Sequence, residues 1–423
     1  MPARLGRSPG VTVRILHVNK FLYRRGGAEA YMFDLAQLQT AAGDEVAFFG
    51  MDHPDNEPMP YASHFPGYVE FRAPTMWAQV KASARMFYSS SSAAGMEQVV
   101  KDFGPDVVHL HNIYHQLSPS ILRPLARLDV PSVMTLHDYK LACPSHQFLD
   151  HGRLCEACLG GRFYHAATRR CKDGSLAASV LVSVESYAHS LTGAYSPVRL
   201  FIAPSRFLAG KMAEAGVFPS RMRQANHFVD SASISAREFP GSGFLYAGRL
   251  SHEKGVDVLI RAAALVPEAT VDVLGDGPER ARLEKLAQEV APGRVRFHGR
   301  LGREQVHEAM RRSIAVVVPS RWYENQPITI LEAFACGVPV VGTRLGGIPE
   351  LIEDGVTGWS VAPDDPPALA ERMKHMAGDA DRMSTMGRAA RAFVEGGFAP
   401  AAHLQRLSEI YIEAGAVRQP VPA

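Results

Sequence analysis

Short apolar, β-branched runs alternate with helical patterns along nearly the whole chain. In the first half the runs are VRILHVNK (13–20), EVAFFG (45–50), DVVHLHN (106–112), SVMTLHD (132–138) and LFIAPS (200–205). In the second half they are GFLYAGRL (243–250), ATVDVLGDG (269–277), VRFHGRL (295–301), AVVVPS (315–320), PVVGTR (339–344) and GWSVA (358–362). Between them, stretches such as VDVLIRAAALV and PERARLEKLAQEV repeat apolar residues three and four apart, the period of an amphipathic helix. Strands and helices in strict alternation predict a parallel sheet covered by helices on both faces. Each first-half run ends in small, polar or histidine residues, and open α/β sheets bind ligands outside the carboxyl ends of their strands.

The pattern pauses once, at the polar, Ser-, Gly- and Pro-rich stretch VDSASISAREFPGSG (229–243), which reads as an interdomain linker. The prediction is an α/β protein of two doubly wound, Rossmann-like domains facing a cleft. The first spans 11–228 with an insertion at about 140–175, and the second spans 243–396. Residues 397–415 form a last amphipathic helix, expected to pack back on the first domain. A length of 423 residues supports this, at roughly 150 residues per domain. Apolar residues make up 46% and charged residues 21%, enough for large cores. A net charge of +2, without zinc-finger or RNA-binding signatures, argues against nucleic acid as a partner. The first ten residues lack the apolar stretch of a secretion signal, and no run reaches the roughly 20 apolar residues of a spanning helix. The expected location is cytoplasmic, with membrane contact limited to a peripheral one at the inner face. The segment RAPTMWAQVKASARMFY (72–88) interleaves aromatic and basic residues in a way that suits a bilayer interface, the core or a cleft wall.

Chemistry concentrates in the second half. GRLSHEKG (248–255) lies between a strand and a helix, where backbone amides meet an anion, and Arg249 and Lys254 add two cationic donors there. That combination suits a diphosphate whose charge grows as it leaves. In SRWYENQPITILEAFACGVPVV (320–341), Glu324 sits in the loop and Glu332 in the following helix, flanked by the apolar Leu331, Ala333, Phe334 and Ala335. Carboxylates accept hydrogen bonds from vicinal hydroxyls, as a ribose or hexose offers.

GRLSHEKG, VLGDGPER (273–280), the E-x7-E of Glu324 and Glu332, and CGVPVVGTRLGGIPELI (336–352) together resemble the retaining GT-B-fold glycosyltransferases of family four, or group 1. The resemblance covers nearly the whole chain. It implies transfer of a sugar from a nucleoside-diphosphate sugar to an acceptor hydroxyl with retention of anomeric configuration. Arg249 and Lys254 would bind the donor diphosphate, Glu332 the ribose and Glu324 the transferred sugar. Many members carry Gly-Phe after the first glutamate; here Asn325, Gln326 and Pro327 follow, and donor contacts fall to Asn325 and Gln326. No metal is required for transfer on this reading. The D-x-D at Asp379 and Asp381 reads as a helix N-terminus.

The first half supplies the opposite wall. Gly26 and Gly27 end the first strand's loop and open a helix, which lets backbone approach the donor. Glu29 either caps that helix or positions an acceptor hydroxyl. The resemblance assigns a histidine at the position of His137 to the sugar face, and His109, His111 and Asn112 on the neighbouring strand end are acceptor candidates or structural residues. The acceptor is a small molecule, a glycan or a lipid-linked species.

Four of five cysteines cluster as Cys143, Cys155, Cys158 and Cys171. In a chain without a secretion signal this reads first as a closed, structural, tetrahedral zinc site, with a redox or disulfide pair and unliganded thiols as alternatives. Two rival functions carry the same motifs: a nucleotide-sugar 2-epimerase-like enzyme, and a non-catalytic nucleotide-sugar-binding protein whose zinc-stapled insertion mediates interactions.

Overall fold

The computed structural model describes residues 11–69, 76–417 and 419–420, with side chains described from residue 82 onward in the helix that begins at Met76. The first ten residues and residues 72–75 of the aromatic and basic segment therefore lie outside the described residues, as do the side chains of 76–81. The first sheet is built from β1 (Arg14–Val18), β2 (Glu45–Phe49), β3 (Val107–Leu110), β4 (Ser132–Thr135), β5 (Leu200–Ala203) and β6 (Met222–Gln224), in the spatial order β2-β1-β3-β4-β5-β6. All its pairings are parallel. The second sheet is also parallel: β7 (Phe244–Ala247), β8 (Val271–Leu274), β9 (Val295–Gly299), β10 (Ala315–Val318), β11 (Val340–Thr343) and β12 (Gly358–Val361), ordered β9-β8-β7-β10-β11-β12. Every strand expected from the apolar runs is present, trimmed at its ends. The edge strand β6 was not expected, because MRQ is short, polar and half-buried and carries no period.

In β3, β4, β5, β10, β11 and β12 every residue is buried, as continuous apolar runs covered on both faces require. Six helices matter for the site: α1 (Gly27–Ala41), α2 (Leu176–Leu191), α3 (Val256–Ala264), α4 (Arg303–Arg312), α5 (Ile328–Ala335) and α6 (Ala380–Gly397). Asp379 caps α6, its carboxylate accepting from Arg382 N at 2.9 Å, so the D-x-D is a helix start. A seventh, α7 (Pro400–Glu413), turns its apolar stripe onto the first domain. There Leu404, Leu407 and Ile410 join Val13, Ile15, Leu200 and Ile202 in one cluster, each contributing about 2 kcal/mol on area bookkeeping. The last helix of the chain thus completes the core under the first sheet. No helix among the described residues is long and apolar enough to cross a membrane.

Candidate active site at the interdomain cleft

After β7, the chain makes a single 3-10 turn over His252–Lys254 and passes Gly255, at φ +67°, into α3. A Cβ at Gly255 would lie 2.0 Å from the Pro319 carbonyl, so glycine lets this turn touch the loop after β10. Two more close approaches fix the surroundings. Gly275 and Gly277 of the GDG turn press on the carbonyls of Gly248 and Leu250, and Gly347 presses on the Asn325 carbonyl, where a Cβ would come to 1.9 Å. Gly347 N also donates to Glu324 O at 2.7 Å. The glycines of the sequence motifs are therefore what seats the two ligand loops.

Lys254 and Glu324, seventy residues apart, meet as an ion pair at 2.7 Å. Ser320 Oγ donates to the same carboxylate oxygen at 2.6 Å, and the Lys254 ammonium lies 5.0 Å from the centre of the Trp322 ring. Burial raises the Glu324 carboxyl, but the charge of Lys254 and the hydrogen bonds from Lys254 and Ser320 outweigh it, so the carboxyl sits below its ordinary range. Arg249 is exposed beside this pair, its backbone carbonyl accepting from Tyr246 Oη at 2.8 Å. Glu332 on α5 lies 3.4 Å from both Arg303 and His307 of α4. Its neighbours Leu331, Ala333, Phe334 and Ala335 are fully buried, which turns the carboxylate toward the cleft side of the helix.

Asn325 and Gln326 point across to the first domain. Asn325 Nδ2 donates to the Leu136 carbonyl at 2.8 Å, and Gln326 Oε1 accepts from His227 N. Their side chains join the domains, leaving backbone groups for a donor. Glu350 does the same, its carboxylate accepting from the amides of Arg206 and Phe207. Arg303 reaches Asp34 on α1 at 3.1 Å, and Asp34 also holds Arg24 at 2.7 Å. Arg303 carried no sequence signal.

On the opposite wall, Gly26 and Gly27 are exposed at the start of α1, and a Cβ at Gly27 would meet nothing within 4 Å. Glu29 is buried and accepts from Asn19 Nδ2 at 3.3 Å, while the Asn19 carboxamide oxygen accepts from Asn112 N at 3.0 Å. Asn112 Oδ1 is buried without a protein partner. His137 stands half-buried at the end of β4, with His227 stacked beside it at 5.8 Å. Burial pushes its imidazole down to about 3, so it is neutral. His109 and His111 lie deeper. Both are fully buried with both ring nitrogens bonded, so neither offers an atom to an acceptor. Nitrogen atoms of His17, His109 and His111 lie within 4.8 Å of one another, but each is already committed to a hydrogen bond, which argues for a polar network over a metal centre.

The cysteine insertion is anchored at its base by a buried ion pair, Lys140 with Glu185 of α2 at 2.8 Å, to which His115 adds a bond at 3.0 Å. A hairpin, Leu149–Asp150 paired with Arg153–Leu154, reaches the second domain. A Cβ at its Gly152 would meet His252 of the turn before α3 at 2.4 Å, and Glu156 accepts from Tyr323 Oη at 2.8 Å while pairing with Lys211 at 2.9 Å. The insertion so touches both ligand loops of the second domain. Cys143, Cys155, Cys158 and Cys171 are all free thiols, Cys143 and Cys158 buried. Burial first, then the neighbouring thiols Cys143, Cys171 and Cys155, push Cys158 up to about 12, so the four share one neighbourhood. Among the described residues, no three of the sulfurs come within 4.8 Å of one another.

Two six-stranded parallel sheets, each wrapped by helices and joined across one interface, define a GT-B architecture. Residues 241–393 match the family "Glycosyl transferases group 1" and residues 26–225 match "Glycosyl transferase 4-like domain". Together they identify the chain as a group 1 glycosyltransferase of GT-B type. A sucrose-phosphate synthase from Thermosynechococcus elongatus superimposes with a TM-score of 0.70 at 20% identity, covering 95% of this chain and 98% of that one. HepE of Anabaena, solved with UDP-glucose, gives 0.66 at 20% identity over 95% of this chain and 100% of that one; both likenesses concern the fold. In sequence, the chain is 34% identical to an alpha-D-kanosaminyltransferase of Streptomyces kanamyceticus over 176 residues, 40% of this chain and 45% of that protein. It is 36% identical to a D-inositol 3-phosphate glycosyltransferase of Streptomyces avermitilis over 166 residues, 36% of this chain and 35% of that protein. The alignments thus span less than half the length of these relatives.

Proposed function

We propose that the protein transfers a sugar from a nucleoside-diphosphate sugar to an acceptor hydroxyl, with retention at the anomeric carbon. The observation that carries this is the Lys254–Glu324 ion pair at 2.7 Å beside the strand-to-helix turn, on a loop whose next residue, Asn325, bonds the Leu136 carbonyl one residue before His137. Arg249, Lys254 and the amides before α3 bind the diphosphate and take up its charge as the glycosidic bond breaks, which favours the charged leaving group over the ground state. Glu332 accepts from the ribose hydroxyls, Glu324 from the sugar, and Asn325 and Gln326 keep the sugar loop against the first domain.

Glu324 does not stand free as a nucleophile, since Lys254 and Ser320 hold its carboxylate. That favours the same-face route, in which the departing phosphate receives the acceptor proton and the new bond forms on the face the leaving group vacates. No metal enters this scheme. The acceptor meets the first-domain wall near Asn112, whose buried Oδ1 lacks a protein partner. Nothing in the site favours the epimerase-like or non-catalytic readings. Incubating the purified chain with a panel of nucleoside-diphosphate sugars, after thermal-shift ranking, tests the assignment. A bound donor at 100 times its dissociation constant adds about 2.7 kcal/mol. Hydrolysis or transfer with inversion would refute the retaining mechanism.

We also propose a structural zinc on Cys143, Cys155, Cys158 and Cys171, which would draw the thiolates together and stiffen the hairpin that meets His252 and Tyr323. Metal analysis of reduced, tag-free protein tests it: about one zinc per chain supports the site, and a content near zero removes it.

A further inference from the structure

Behind His137 lies a buried hydrogen-bond chain whose direction is set by the Gln39 carboxamide. A carbonyl can only accept, and a neutral imidazole has one N–H and one lone pair. On its outer side, Tyr31 Oη lies 3.0 Å from His403 Nε2 of α7. His109 bonds Thr135 Oγ1 through Nε2 and Tyr411 Oη through Nδ1, each at 2.7 Å. The Tyr411 oxygen accepts from Gln39 Nε2 at 3.0 Å, which turns the carboxamide Oε1 toward His17 Nε2 at 2.7 Å. Oε1 has no proton to give, so His17 carries its hydrogen on Nε2. His17 Nδ1 accepts from His111 Nε2 at 3.0 Å, and His111 Nδ1 accepts from His137 Nε2 at 3.0 Å. Burial keeps these rings neutral: His17 and His403 are lowered to about 4, His137 to about 3, and His109 and His111 well below their ordinary value.

We propose that Gln39, at the bend of this chain, is a positioning residue that fixes His137 as the Nε2–H tautomer, so that its Nδ1 meets the ligand as a hydrogen-bond acceptor. The inference rests on the placement of His137 at the sugar end of the site. It also specifies the partner: a hydroxyl of the sugar or of the acceptor, which donates to Nδ1, and not a phosphate oxygen, which would need a donor there. Gln39 is 1% exposed and cannot touch a substrate, so its effect runs through the imidazoles.

Tautomers are assigned here from the network, and nitrogen chemical shifts read them directly. The full chain, labelled with nitrogen-15 at histidine, is examined by long-range proton–nitrogen correlation, with His137 assigned by its loss in His137→Gln. The expected result is His137 protonated on Nε2; protonation on Nδ1 in the native protein overturns the inference, whatever the variants do. In Gln39→Leu the chain loses its director, an Nδ1–H population appears, and kcat falls roughly tenfold with donor KM within about twofold, the loss of one ground-state-neutral hydrogen bond. Gln39→Glu keeps an acceptor facing His17 and restores the Nε2–H form and most of kcat. An unchanged tautomer in Gln39→Leu overturns the role of Gln39. A changed tautomer with unchanged turnover leaves the chain standing and instead removes His137 from the sugar site.

Discussion

Replacing Lys254 with methionine removes a charge from a pair whose partner is nearly enclosed: the side chains are 24% and 8% exposed for Lys254 and Glu324. Breaking a fully buried pair from one side costs about 3–5 kcal/mol. Here the lysine is partly screened by solvent and Ser320 keeps its bond to the carboxylate, so we expect about 2 kcal/mol at neutral pH. The pH dependence carries the mechanism. In the native protein the Glu324 carboxyl lies below its ordinary range, so the pair's contribution is present above the unfolded pKa and is lost as pH falls through the depressed folded one. In Lys254→Met burial acts with little opposition, the folded pKa rises above the unfolded one, and the penalty relaxes as the carboxyl takes up a proton. The stability gap between native and variant protein should therefore be widest near neutrality and narrow toward about pH 5. Urea unfolding at both pH values measures it, and adding Glu324→Gln to the variant should recover most of the loss. The double variant isolates binding from folding: it should fold well yet bind a nucleoside diphosphate about 10- to 100-fold more weakly, one charge-assisted bond having gone. A gap that is independent of pH, or native-like transfer by Lys254→Met, would refute this account.

Three further outcomes follow from close contacts. Gly347→Ala places a methyl 1.9 Å from the Asn325 carbonyl, so the sugar loop must shift; a stability loss of about 1–3 kcal/mol with weakened donor binding is expected by calorimetry. Gly27→Ala is the contrast, since its methyl meets open space: thermal unfolding should be unchanged, and any loss should appear in turnover, as the added group enters the volume kept for the donor. Arg303 is 51% exposed, so its bond to Asp34 across the cleft should show a coupling of about 0.5 kcal/mol in a double-mutant cycle; a coupling above about 2 kcal/mol would mark it as a true domain latch.

The linear order of residues determined the two sheets, the position of the cleft and the second-domain motifs. Burial on both faces forces a continuous apolar run, and the small and charged residues of GRLSHEKG and ENQPITILE stand at the strand ends where an α/β sheet binds ligands. The glycines of GDG and LGG were readable as motifs, but their reason appeared only when Gly275, Gly277 and Gly347 were found against opposing carbonyls. The edge strand β6 stayed hidden because a half-buried polar tripeptide has no period to read. His109 and His111 looked like cleft residues from their place at a strand end. Parallel pairing instead sets His109 opposite His17 within the sheet, and α7 then seals them from above with Tyr411. Gln39 left one trace, a polar residue on the buried stripe of α1 with Tyr31, Met32, Leu35 and Ala36. Local periodicity states which residues are buried; it does not state what they face. That was decided by folding, which brought residues 17, 39, 109, 111, 137 and 411 into one chain of hydrogen bonds, where each proton's place depends on the next.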